Sequence, residues 1–302
     1  MINNYQKIGL YLAFATTLIS GVSVFLNKFA TAAIKNSAVF TSAKNLLVAL
    51  VLSLIVLSPS IFKKLKNLTK QDWGKLILIG LIGGSIPFLL FFKGLSLSSS
   101  ATAAFLHKSL FLWVALLAIP FLKEKLSKLQ LSALLILVVG NFLLVGPKFF
   151  SFQVADLLIF GAALLWSAEY IIAKKILSTI DSKIVAWARM FFGSVFLVLY
   201  LLLIGQASLL LALNGTQWSF IALSALLLLG YVLTWYEALK RLPASVVTSI
   251  LVLASPITTI LNSLFVTHTV PDNLWLPSAL IIAGLLLLIR RPQHATSTRV
   301  AI

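Results

Sequence analysis

Glu169 is the residue around which chemistry is most readily drawn. It sits in Trp166-Ser167-Ala168-Glu169-Tyr170, inside an otherwise apolar run from Leu157 to Ala173. An isolated charge in hydrocarbon is costly, and such groups face a bundle interior or a water-filled cavity. By helical rise, Glu169 lies about 20 Å along its helix from Asp156. Trp166, three residues back, shares its face, and Tyr170 follows directly. A carboxylate with an aromatic wall suits a cationic or zwitterionic substrate, or a proton that competes with it. The structural alternative is that Glu169 snorkels or pairs with a lysine as glue.

Lys108 is the second candidate. It lies about 12 Å into its own apolar stretch, close to the midplane. Glu169 is the carboxylate expected to pair with it by depth, unless Lys108 receives a substrate carboxylate instead. Asn141 and Asn262 are candidate hydrogen-bonding neighbours. His107 points about 100° away from Lys108 on a helix, either into the cavity or toward lipid-side packing. Trp113, Trp235 and Tyr236 are candidate cavity walls, whereas Trp73 and Trp218 read as interfacial anchors. Lys44 and Arg189 fall near opposite ends of their apolar stretches. They read as gating cations at two mouths, or as structural side chains that snorkel and hold helix-end carbonyls. Pro87, close after Gly83-Gly84, and Pro256, after Ser255, interrupt two further stretches. Such breaks are tolerated where protein or cavity covers the freed backbone, as static kinks or as rocking points.

The whole composition places these residues in a membrane. Of 302 residues 60% are hydrophobic and 10% charged, against about 25% charged in soluble domains. Mean hydropathy is +1.06. The run from Ile8 to Leu26 is too long for a signal-peptide core and reads as a retained span. The formal charge of +17 would suggest nucleic acid in a soluble chain. Here the cations sit in short loops and read as topology signals and lipid-headgroup contacts, so no nucleic-acid partner is expected. There is no cysteine, which excludes disulfides and thiolate sites. No phosphate-loop, HExxH or GxSxG pattern occurs, so neither an ATP motor nor a hydrolase is indicated. No metal and no cofactor is expected.

About 20 apolar residues cross a bilayer, and ten segments qualify: roughly 7–27, 38–57, 74–95, 100–121, 129–146, 156–173, 184–205, 217–239, 244–267 and 274–290. Alternate loops carry the lysines, from Lys63 and Lys64 through Lys123 and Lys125 to Lys174 and Lys175, then Lys240 and Arg241. Lys7, Arg290, Arg291 and Arg299 add to the tails, while the other side has Lys28, Lys35, Lys93 and Lys148. The positive-inside rule then puts both termini in the cytoplasm. Lys44 and Arg189 are about 145 residues apart, as are Trp73 and Trp218. Five spans per half make the second half enter from the opposite face, an inverted repeat of the kind secondary transporters use. The expected fold is all-α, a polytopic membrane protein of ten transmembrane helices in two inverted five-helix repeats, 1–148 and 149–302. At an offset of about 147 the first-half counterpart of Glu169 is Val22, so one half alone would carry the titratable group.

Several segments match a known pattern. Leu122-Lys123-Glu124-Lys125-Leu126-Ser127 resembles the element that follows the fourth span in the EamA-like branch of the drug/metabolite transporter (DMT) superfamily. Ala43-Lys44-Asn45 and Ala188-Arg189-Met190 sit where that family commonly has cations. Ala162 to Ala168 resembles its sixth span, and Pro277 to Gly284 its last. Thr267-His268-Thr269 departs from it, lacking the second acidic element. Ala168-Glu169 before a lysine pair also resembles the glutamate helix of the related small multidrug resistance family. The resemblance implies a secondary transporter, not an enzyme, lined by spans one, three, four, six, eight and nine. It implies an exporter of small metabolites such as amino acids, working by alternating access, and the expected drive is exchange for protons or the substrate's own gradient. The alternative is a nucleotide-sugar or phosphate-ester exchanger, with a channel or an intramembrane enzyme as weaker readings. The expected setting is the plasma or inner cell membrane, with the lipid bilayer and a small-molecule substrate as partners, and the protein as a monomer or homodimer.

Overall fold

The structure is a computed structural model that describes residues 3–145, 153–271 and 274–289. Lys148, Arg290, Arg291, Arg299 and the expected repeat boundary at 148/149 lie outside the described residues. Among the described residues every regular element is helical.

Polar residues that punctuate the apolar runs become helix caps. Asn3 and Gln6 form a capping box for α1 (Asn4–Ile34), and Asn36 caps α2 (Ser37–Val56). Side-chain oxygens here accept from amides that have no intrahelical partner. The stretch expected to be a linker after α2 instead holds a short basic helix, α3 (Pro59–Lys66), with proline at its start, where a missing N–H costs nothing. Thr69 and Asp72 box the start of α4 (Lys70–Gly84), which is followed by α5 (Ile86–Leu97). Next come α6 (Ser100–Lys108), α7 (Leu110–Leu122), α8 (Lys128–Val145) and α9 (Val154–Ile176). The second half continues with α10 (Ser182–Leu203), α11 (Gly215–Arg241), α12 (Ala244–Ile250), α13 (Ala254–Asn262) and α14 (Trp275–Ile289).

Among the described residues eight stretches are long and apolar enough to cross a membrane: α1, α2, α4 with α5, α6 with α7, α9, α10, α11, and Ala244–Thr267. The other two expected spans appear as the shorter apolar helices α8 and α14. Large side chains such as Leu54, Leu203 and Leu226 lie on the outside, more than half exposed. That surface would aggregate in water and is solvated by lipid tails in a bilayer.

The packing pairs helices across the two halves of the chain. α1 lies along α11 and α9 along α5, while α2 packs on α10 and α8 on α14. Small residues set the closest of these approaches, as expected where lipid removes the hydrophobic drive between helices. A Cβ built on Gly84 of α4 would stand 1.9 Å from the Arg189 carbonyl oxygen and 3.0 Å from the Gly193 Cα of α10. Outside the spans, the α9–α10 loop is tied to α3 by a 2.6 Å ion pair between Lys64 and Asp181. Burial pushes the Asp181 carboxyl up, but hydrogen bonds from Lys64 and from the Lys183 amide outweigh it and hold the group below its ordinary value.

The glycine contact can be tested directly. Gly84→Ala places a methyl against backbone that cannot rotate away, so the cost exceeds the roughly 1–3 kcal/mol of ordinary overpacking. The unfolding temperature in detergent should fall sharply. Gly74→Ala meets nothing within 4 Å and should leave it unchanged.

Candidate functional site

The site begins with a break in a helix. Pro87 has no N–H, so the carbonyl of Gly83, four residues earlier, loses its helical donor. The chain turns at Ser85, with φ −127° and ψ −76°, between α4 and α5. Two side chains from the other half take the orphaned carbonyl. Trp166 Nε1 donates to it at 2.9 Å and Arg189 Nε at 3.1 Å. Asn45 Nδ2 donates to the next carbonyl, Gly84, at 3.1 Å. Gly83 also has to lack a side chain, because a Cβ there would lie 2.5 Å from Glu169 Cγ.

Glu169 is completely buried in this corner. Its Oε1 accepts from the Tyr236 hydroxyl at 2.6 Å, and its Oε2 lies 3.8 Å from Arg189 Nη1. Oε2 accepts no hydrogen bond from the described residues. Arg189 Nη1 also donates to the Tyr236 hydroxyl at 3.4 Å. Tyr170 and Tyr231 share a hydroxyl contact of 3.2 Å, and the Tyr170 ring packs on Trp235 at 4.3 Å.

Beside this corner is a cavity of about 50 Å³. Lys44, Arg189, His107, Trp166, Tyr170 and Tyr231 line it, with Phe88, Phe91 and Phe92. Its α1 wall is polar, formed by Ser20, Ser23 and Asn27. Among the described residues the Lys44 ammonium has no ion-pair or hydrogen-bond partner. It stands 3.5 Å from the Phe92 ring centroid, 4.9 Å from Phe40 and 5.3 Å from Phe88. His107 packs on Trp166 at 4.7 Å and Phe91 at 5.0 Å.

Several expectations are corrected by this geometry. The partner of Glu169 is Arg189, not Lys108. Lys108 Nζ instead donates to Ser20 Oγ at 2.6 Å and lies 3.5 Å from His107 Nδ1. The two residues are at similar depth, but α6 turns Lys108 toward α1. Lys44 and Arg189 do not snorkel, since each is 1% exposed. The expectation that they hold helix-end carbonyls applies to Arg189 alone, through Gly83. His107 is buried against the aromatic wall and does not face lipid. Trp113 packs on Phe160 at 5.6 Å and is not among the residues that line this cavity. Tyr236 lies behind the wall, on Glu169. Asn141 donates weakly to the Phe105 carbonyl at 3.4 Å. Asn262 accepts from Ser100 Oγ at 3.2 Å and lines a separate, wider cavity of about 830 Å³ near Lys28. Pro256 lies in the first turn of α13, just after a 3-10 turn at Leu251–Leu253 whose Val252 carbonyl accepts from the Ala254 amide. Trp73 packs inward on Trp187 at 6.1 Å, whereas Trp218 is 43% exposed.

Other contributors were not singled out from the sequence. The α1 stripe was visible as Ser20, Ser23 and Asn27 at helical spacing in an apolar helix. Two lysines also hold matching helix ends. Lys28 Nζ donates to the carbonyls of Leu95 (3.0 Å), Ser96 (3.3 Å) and Ser98 (2.5 Å) after α5. Lys174 Nζ donates to those of Leu239 (2.6 Å), Lys240 (3.4 Å) and Leu242 (2.7 Å) after α11. Glu124 then caps the amides of Ala244 and Ser245 at 2.7 and 3.3 Å.

A break-centred, charged pocket thus lies inside a bundle of long apolar helices. The EamA-like transporter family model matches the chain twice, over residues 7–146 and 153–290. The chain belongs to the EamA-like transporter family, within the drug/metabolite transporter superfamily, whose members are transporters and not enzymes. A solved structure titled only as the crystal structure of a protein shares the fold, with a TM-score of 0.74 at 17% identity. The match covers 96% of this chain and 98% of the other. No curated protein matches in sequence.

The indole bond to Gly83 is separable from the ring packing. Trp166→Phe keeps the edge contacts to Phe88 and Phe91, at 5.3 and 5.5 Å, and removes one donor. Arg189 still holds the carbonyl, so the loss should be about 1 kcal/mol, read by thermal unfolding in detergent. A loss several times larger would show that Arg189 cannot hold the break alone.

Proposed function

We propose that this transporter exports a small carboxylate-bearing metabolite, amino acids among them, by alternating access and in exchange for protons. Ten crossings in two inverted five-helix repeats, 1–148 and 149–302, place both termini in the cytoplasm of a cell with the protein in its plasma or inner membrane. Substrate occupies the aromatic cavity between the halves. The observation that carries the reading is the corner where Glu169 meets Arg189 and Tyr236. A fully buried carboxylate with one oxygen lacking a hydrogen bond, beside a cavity, is a group whose charge state depends on what occupies its surroundings.

The mechanism follows from competition for Arg189. With Glu169 ionised, the guanidinium is compensated. When Glu169 takes a proton, Arg189 becomes free to attract an anionic group from the cavity that it lines. Proton binding on one side and substrate release on the other are then linked through one cation. A nucleotide-sugar exchanger is the weaker alternative.

Glu169→Gln preserves the shape and an oxygen for the Tyr236 hydroxyl while removing the proton site. In proteoliposomes it should lose pH-gradient-driven accumulation of amino acids or their 2-oxo acids while still inserting. Normal gradient-driven transport by that variant would remove Glu169 from the coupling step.

A further inference from the structure

The two halves are not equal in charge at the centre. Lys28 and Lys174 hold matching helix ends and lie on α1 and α9, so they set the register between these two helices at an offset of 146. On that register the counterpart of Glu169 is Ser23, not Val22, and Ser23 lines the central cavity. Lys44 and Arg189 are likewise counterparts in the sequence. Arg189 has a carboxylate, a tyrosine hydroxyl and a backbone carbonyl around it. Lys44, where the matching carboxylate is replaced by a serine, has ring faces alone.

Among the described residues no acidic side chain lines this cavity. Its titratable wall is Lys44, Arg189, His107, Tyr170 and Tyr231. Lys108 adds a second cation without a carboxylate, bonded to the cavity-lining Ser20. Aromatic faces stabilise a desolvated ammonium by about 2 kcal/mol or more, well short of what a counter-ion supplies in a low-dielectric site. A charged Lys44 would take its negative counter-charge from the cargo.

We infer that Lys44 is the specificity-determining residue of the central cavity and selects a net-anionic carboxylate, such as a 2-oxo acid, over the zwitterionic amino acid of the same carbon skeleton. The carboxylate displaces the ring faces as the partner of Lys44, and its apolar body packs against Phe88, Phe91 and Trp166. A substrate ammonium finds no carboxylate on the wall and faces Lys44, which has no counter-ion among the described residues. This rests on the reading of the cavity as a carboxylate-carrier site, and narrows it.

The test is counterflow in proteoliposomes, using radiolabelled L-leucine and its 2-oxo acid, L-phenylalanine and its 2-oxo acid, and L-alanine and pyruvate. The expected result is exchange of at least one 2-oxo acid about tenfold or more faster than its amino acid, a discrimination of about 1.4 kcal/mol. Lys44→Gln should abolish that exchange and Lys44→Arg should restore it, which separates recognition from folding. Ser23→Asp supplies the missing charge and should lower the preference for the 2-oxo acid relative to wild type. Exchange of an amino acid at least as fast as its 2-oxo acid in every pair overturns the selectivity of Lys44 while leaving the carrier reading standing. Exchange of no probe by folded wild-type protein overturns both.

Discussion

The centre of this molecule depends on one backbone carbonyl. A helix inside a membrane satisfies its own polar groups, and a carbonyl without a donor has no water to turn to. Pro87 creates that situation at Gly83. Trp166 and Arg189 meet it with an indole and a guanidinium donor. Because these donors come from α9 and α10, the repair of a local break in the first half is also the contact that joins it to the second. Once Arg189 is drawn into the bundle for this purpose, its own charge needs compensation, and Glu169 with Tyr236 provides it. The aromatic wall, the buried ion pair and the glycine pair at 83 and 84 follow from the same break.

The inverted arrangement proposed for the halves does not make their interiors alike. A shared scaffold has to preserve helix lengths, close approaches and the ends of its helices. The lysines at positions 28 and 174 illustrate that part, each holding a set of helix-end carbonyls. Side chains away from those contacts are under no such obligation, and Glu169 and Ser23 differ. Glu124 marks a second inequality. It caps the amides of α12 beside the carbonyls held by Lys174, so the turn between α11 and α12 is held through both kinds of backbone group. The turn after α5 has Lys28 for its carbonyls, while Ser99 caps α6 from within the turn.

Charge in the cavity is arranged with little redundancy. Arg189 is held by groups that leave it aimed at a fixed place, and Lys44 packs on ring faces. The ion pair between Arg189 and Glu169, at 3.8 Å, is looser than a direct hydrogen-bonded pair.

Composition, apolar run length and the spacing of lysines were enough to establish a polytopic helical membrane protein, and the segments quoted around Glu124, Lys44 and Arg189 were enough to place its family. Those features are local, or are sums over the chain, and need no knowledge of which helix touches which. Glu169, Trp166, Tyr170 and Pro87 could be singled out for the same reason, since each stands out against its own helix. What the sequence could not supply was the pairing. Lys108 and Arg189 are both cations buried among apolar residues, and linear depth favoured the wrong one. The choice is made by helix rotation, which turns Lys108 toward Ser20 and brings Arg189 to the carbonyl freed by Pro87. Rotation depends on how all the neighbouring helices pack at once, and so on contacts between residues more than a hundred positions apart. The elements and their charges were therefore determined by the sequence alone. Which charge meets which partner, and which cation is left facing the cavity without one, was decided by the tertiary structure.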